Sequence, residues 1–137
     1  MAKNDPKQVL IWRSDLKNTQ GNKVRSGKMV AQLSHASMAS ILNYASSIYE
    51  GEVKINVEKQ AVREWLTGLH TKVCVTVNSE EELLEIYNKA REAGLNASLI
   101  KDAGLTEFDG VATLTCLAIG PDYPENIDPI TRHLKLL

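Results

Sequence analysis

Lys28, Gln32 and His35, in the stretch "GKMVAQLSHAS", recur at the spacing of one narrow helical stripe that Ala39 continues. A lysine in the first turn of a helix is out of place, because the macrodipole already puts partial positive charge at that end. Sharing its face with an amide and an imidazole, it raises the question of what compensates it. A second candidate is Asp102 in "IKDAGLT", where an apolar run ends and Gly104 lets the chain turn sharply. Thr106 follows within hydrogen-bonding reach of such a turn. Ligand sites of open α/β sheets gather at the carboxyl ends of strands, beside helix N-termini. Parallel packing would therefore bring Asp102 and Lys28 to one edge, although an Asp-Ala-Gly turn by itself is more often only a turn.

Other chemistries find less support. A phosphate-binding loop requires Gly-x-x-x-x-Gly-Lys followed by Ser or Thr. Here Gly21 lies one residue too early and Met29 stands where the hydroxyl belongs. No Gly-x-Ser-x-Gly elbow is present. Cys74 and Cys116 lie in apolar runs without a Cys-x-x-Cys or a histidine pair, so reduced core thiols are expected, with no disulfide and no metal site. His70 and His133 have no defined partner, and a lone His35 on a helix is more often structural than catalytic.

These residues need elements to hold them. "QVLIWRS" (8–14) reads as a buried strand and residues 15–26 as a polar loop. A long helix is expected from about Gly27 to Ser47, with Ser26 as N-cap. Its core arc would be Met29, Val30, Leu33, Ile41 and Tyr44. Residues 48–60 read as a linker or insertion, and 59–68 as a short helix closed by Gly68. "KVCVTVN" (72–78) has the alternation of a strand. Residues 79–95 form the clearest helix, with Ser79 as N-cap, Glu82 completing a capping box and Gly94 at C′. Strands follow at 96–104 and 111–121, then a helical turn or two. Strand, helix, strand, helix, strand implies right-handed crossovers and a mostly parallel sheet of four strands.

With 137 residues, 43% hydrophobic and 24% charged, the chain is expected to form one domain, residues 1–137, with a substantial core. The N-terminus has no apolar signal region and no stretch is long enough to span a membrane, so a cytoplasmic protein is expected. The net charge of −1 is unevenly spread. Residues 1–30 carry seven Lys/Arg against two acidic residues, whereas the remainder is net acidic. Such asymmetry marks either a polyanion-binding face or a solvated basic end.

Taken in order, "VLIWRSDLK", "GKMVAQLSHAS", "LIKDAGLT", "TLTCLAIGP" and "IDPITRHLKLL" resemble the archaeal/eukaryotic-type peptidyl-tRNA hydrolases, from about residue 8 to the C-terminus. The resemblance implies a three-layer α/β/α fold with a mixed four-stranded sheet, usually as a homodimer. It implies hydrolysis of the ester between a peptide and the 3′-terminal ribose of tRNA, without metal or organic cofactor. By motif, the active-site residues would be Lys28, Asp102, Thr106 and Thr115, with Gln32 and His35 in support. Asp102 would orient and help deprotonate water, Lys28 would supply positive charge, and the threonine hydroxyls would hold water or ester. Lys17, Lys23 and Arg25, in a loop longer than is typical, would contact tRNA phosphates. Leu105, the "GLHTK" segment, Arg132 and residues 46–58 depart from the family pattern. The rivals are a catalytically inactive tRNA- or protein-binding module on this fold, and an unrelated small ester or amide hydrolase.

Overall fold

The computed structural model describes residues 4–104 and 108–137. Its elements, in chain order, are β1 (Lys7–Arg13), α1 (Ser26–Leu42), β2 (Ala45–Tyr49), β3 (Glu52–Ile55), α2 (Gln60–Thr67), β4 (Lys72–Val77), α3 (Glu80–Glu92), β5 (Ala97–Asp102), β6 (Thr113–Asp122), α4 (Pro124–Thr131) and β7 (Lys135–Leu136). The main sheet has five strands in the order β5-β6-β1-β4-β7, one more than expected. The addition is β7, a two-residue strand antiparallel to β4 and too short to leave a hydrophobic pattern.

β1 and β4 pair in parallel, as the crossover through α1 and α2 requires. The sheet is nevertheless not mostly parallel. β6 inserts between β5 and β1 and runs antiparallel to both. β1, β4 and β5 thus share one direction, and their carboxyl ends share one edge, but only one neighbouring pair is parallel.

Period-two alternation in β1 feeds two cores. Val9 and Ile11 join Val75, Leu83, Ile86 and Ile127 under α3 and α4. Leu10 and Trp12 join Leu33, Ala36, Cys116 and Ala118 under α1. Each such side chain removed from water contributes about 1.5–3 kcal/mol, so both faces must be covered. The outcome is an α/β/α sandwich. α3 has the expected start, with the Ser79 hydroxyl accepting from the Glu82 N–H at 3.0 Å and three glutamates in its first turn.

α1 differs from expectation. Its N-cap is Arg25 rather than Ser26, with no side-chain cap bond, and it stops at Leu42. Residues 45–55, read from sequence as helix end and linker, form the β2–β3 hairpin. The buried residues of α1 are Gln32, Leu33, Ala36 and Ser40, while Val30 and Met38 are 58% and 60% exposed. The expected apolar arc is therefore only partly inward. Beneath the last turns of the helix the sheet presents polar atoms. The Ser40 hydroxyl donates to the Gly120 carbonyl, and the Asn96 amide donates to that carbonyl at 3.1 Å. Gly120 has φ +99°, and a Cβ there would sit 2.9 Å from the Lys7 carbonyl, so only glycine fits. Small residues on α1 permit this close approach at Ser40, while Leu33 and Met29 pack inward and Val30 and Met38 lie outward.

Candidate active site

The carboxyl ends of β1 and β5 and the start of α1 meet at one edge. There the Lys28 Nζ lies 2.9 Å from Asp102 Oδ1, with only 16% and 13% of the two side chains exposed. One turn along α1, the Gln32 Nε2 donates to the same oxygen at 3.3 Å. Asp102 Oδ2 accepts the Gly104 N–H at 2.9 Å. No acidic residue lies in the first turn of α1. The carboxylate that balances Lys28 comes instead from β5, which answers why a lysine is tolerated there.

Gly104 is demanded twice over. Its φ is +84°, and a Cβ would approach the Val111 carbonyl oxygen to 2.2 Å. The turn it permits aims its N–H at Asp102. Burial pushes the Asp102 pKa up, but the Lys28 hydrogen bond, the Gly104 N–H and the Lys28 charge outweigh that effect. The carboxyl is held below its usual value. It is thus an ionised acceptor at neutral pH, fixed from three sides.

Thr115 is fully buried, and its hydroxyl donates to Gln32 Oε1 at 2.7 Å. The structure therefore joins Lys28, Gln32, Asp102 and Thr115 in one contiguous polar cluster. Thr106 lies outside the described residues. His35 is exposed and makes no hydrogen bond or ion pair among them. Lys17 and Lys23 face each other across an isolated antiparallel bridge in the loop before α1. That loop is closed by Asn18 N–H to Asn22 O at 2.8 Å, and by the Asn18 side-chain oxygen accepting from the Gln20 and Asn22 N–H groups. Lys17, Lys23 and Arg25 are all exposed.

Three features escaped sequence reasoning. The Gly104 N–H donor is one, though Asp-x-Gly at a strand end is its signal. The second is Arg13, which forms paired hydrogen bonds to Asp15 (3.0 and 2.7 Å) and donates to the Leu114 carbonyl at 2.9 Å, tying β1 to β6 beside the site. The third is an irregularity in β6. Ile100 pairs with Cys116 but Lys101 pairs with Leu114, so Thr115 is passed over. Such a bulge leaves no mark in the sequence.

Other nucleophiles are poorly placed. Both cysteines are free thiols, and burial pushes that of Cys116 up to about 11. Among the described residues no histidine hydrogen-bonds a serine, threonine or cysteine; the His70 ring nitrogen meets the Leu66 carbonyl and the ring packs tilted against Trp65. No group of three or more His, Cys, Asp or Glu suited to a metal ion occurs among them. No described helix is long and apolar enough to cross a membrane.

Fold and site together define a three-layer α/β protein that presents a lysine–aspartate pair, braced by a carboxamide and a backbone N–H, at the carboxyl edge of its sheet. The chain belongs to the family described as peptidyl-tRNA hydrolase PTH2, whose model matches residues 6–137. A protein named peptidyl-tRNA hydrolase from Methanocaldococcus jannaschii is 45% identical over 131 residues, covering 96% of this chain and 99% of that one. One of the same name from Methanothermobacter thermautotrophicus is 44% identical, with the same coverage. A probable peptidyl-tRNA hydrolase 2 from Dictyostelium discoideum is 35% identical over 96% of this chain and 55% of its own length.

Proposed function

We infer that this chain is a peptidyl-tRNA hydrolase, cleaving the ester between a peptide and the terminal ribose of tRNA. Its near full-length similarity to proteins of that name supports the activity. The observation that carries the site is the Lys28–Asp102 contact of 2.9 Å, braced by Gln32 and Gly104.

Water adds to the ester carbonyl carbon, giving a tetrahedral oxyanion. Collapse expels the ribose oxygen, which takes a proton, and leaves the peptide with a free carboxyl group. Asp102 orients the water. Its lowered pKa makes it a weak base toward free water, so it takes the proton as the new C–O bond forms and the water becomes more acidic. Lys28 has further N–H donors beyond the one given to Asp102, and these stabilise the developing oxyanion. Thr106 serves as a further donor. Lys17, Lys23 and Arg25 hold tRNA phosphates, and His35 has only a supporting part.

The protein works in the cytoplasm as a homodimer, in which a second copy covers the outward apolar face of α1. Val30 and Met38 there border an open groove of about 610 Å³ lined also by Trp65 and Leu66. The test of the activity is peptide release from a defined N-blocked aminoacyl-tRNA, beside free aminoacyl-tRNA and a small ester. Rapid cleavage of the first alone is expected. Cleavage of simple esters with none of the blocked tRNA would overturn the reading.

A further inference from the structure

We propose that Thr115 is a positioning residue that never touches substrate: its buried hydroxyl sets the orientation of the Gln32 carboxamide, which in turn holds Asp102. This deepens the reading above and rests on Asp102 being the working carboxylate.

Regular alternation would point Thr115 and Cys116 to opposite faces of the sheet. Because the β5–β6 register skips Thr115, both residues meet α1 at Gln32. The Thr115 hydroxyl donates to the Gln32 side-chain oxygen at 2.7 Å, and the Cys116 thiol donates to the Gln32 backbone carbonyl at 3.3 Å. The bulge thus grips one residue of α1 by both its backbone and its side chain. Bulges beside functional sites commonly re-aim a side chain in this way.

A carboxamide can face its neighbours in two ways, and the chemistry here selects one. An ionised carboxylate only accepts, so the Gln32 nitrogen must face Asp102 and its oxygen must face Thr115. Thr115 then has to donate, which it does. The result is a one-way chain from hydroxyl to carboxamide to carboxylate, in which each bond polarises the next. Thr115 has no exposed surface and Gln32 is 8% exposed, so neither offers its hydroxyl or amide to a bound ester in this arrangement. Lys28 and Gly104 are left unaltered in every variant below, so the Asp102 titration is compared against a constant cation and a constant backbone donor.

The test compares Thr115→Val, Thr115→Ser, Gln32→Ala and the Thr115→Val/Gln32→Ala pair in the full chain. Single-turnover cleavage of N-blocked aminoacyl-tRNA is measured against pH, and the Asp102 carboxyl is titrated by carbon-13 NMR in the same proteins. Thr115→Val, which leaves Gln32 free to turn its oxygen toward the carboxylate, should lower kcat about tenfold with KM nearly unchanged. It should also raise the Asp102 midpoint. Thr115→Ser should restore both, and Thr115→Val should cost nothing further once Gln32 is alanine. An unmoved Asp102 midpoint in Thr115→Val would overturn the proposal. So would a full additional loss in the Gln32→Ala background, which is the mark of direct contact with substrate. If the unaltered chain fails to cleave the tRNA, the function falls, while the NMR titration still decides the positioning role.

Discussion

Two aspartates in this molecule receive nearly the same set of donors at opposite ends of the sheet. Asp102, at the end of β5, takes Lys28, the Gln32 carboxamide and the Gly104 N–H. Asp122, at the end of β6, takes Lys59 at 2.8 Å, the Asn126 carboxamide at 2.8 Å and the Tyr123 N–H at 2.7 Å. Burial raises both pKa values, and in both the donors outweigh it, leaving each carboxyl below its usual value. A donor list alone would not separate a reactive site from a structural one.

Placement separates them. Asp122 precedes α4, and two of its donors belong to the start of that helix, where negative charge is favoured. Its side chain is 3% exposed and its lysine 40%, so the carboxylate is sealed while the cation remains in water. At Asp102 the situation is reversed. The lysine sits where the helix dipole opposes it, and the carboxylate is held by donors from α1, distant in sequence. Both members keep some access to solvent. Asp122 serves the fold with groups that favour one another. Asp102 retains an arrangement that the local helix does not favour, which is the pattern expected of a working pair.

The largest expected effect is on turnover. Lys28→Ala should lower kcat by about 10²–10³, equivalent to about 2.7–4 kcal/mol of transition-state stabilisation, with unchanged circular dichroism. Adding Asp102→Asn should cost less than the product of the two single losses, because both groups act on the same atoms. Equal multiplication of the losses would separate the pair into independent parts. At the other end of the sheet the effect moves to stability. Asp122→Asn should leave kcat within a few-fold but cost roughly 1–3 kcal/mol, read from the urea midpoint. A large loss of rate without loss of stability there would erase the distinction between the two aspartates.

Both lowered carboxyls should also shape the acid limb of stability. A folded-state pKa below the unfolded value contributes stability that is fully present above the unfolded value. That contribution is lost as pH falls through the folded one. Asp122→Asn should therefore flatten the decline of stability on the acid side. An unaltered slope in Asp122→Asn would show that its donors do not favour the charged form.

Smaller again is the docking loop. Alanine at Lys17, Lys23 and Arg25 together should raise KM and leave kcat nearly alone. The salt dependence of binding should flatten by about 0.7–0.9 logarithmic units per phosphate contact removed. An unchanged salt slope would place docking elsewhere. The smallest effect should come from His35→Ala, whose exposed ring makes no hydrogen bond to the groups that hold Asp102. A loss matching that of Asp102→Asn would reassign the base to His35.

Much of this was legible in the chain. The alternation of 72–78, the Ser79 cap and the strand that ends at Asp102 before the Gly104 turn correspond to local physics, and each element forms where that physics puts it. Lys28 and Asp102 could be brought to one edge because crossovers fix strand direction, and the insertion of β6 did not alter where β5 ends. What could not be read depends on register and on neighbours. The passing-over of Thr115 is a relation between β5 and β6 that no periodicity in either strand records. Which apolar residues of α1 face inward, Leu33 and Ala36 rather than Val30 and Met38, depends on how the helix lies on the sheet, which hydrophobic patterning along the helix does not contain. The β2–β3 hairpin replaced an expected helix end because Ala45–Tyr49 pairs with Glu52–Ile55, again a partner effect.

The central claim is that the two similar aspartates do different work, and one paired measurement addresses it. Single-turnover release of peptide from N-blocked aminoacyl-tRNA is followed for Asp102→Asn and Asp122→Asn, each corrected for folded fraction. The account predicts a loss of about 10²–10³ for Asp102→Asn and a change of no more than a few-fold for Asp122→Asn. Wild-type release by Asp102→Asn, or equal losses in the two, would contradict it.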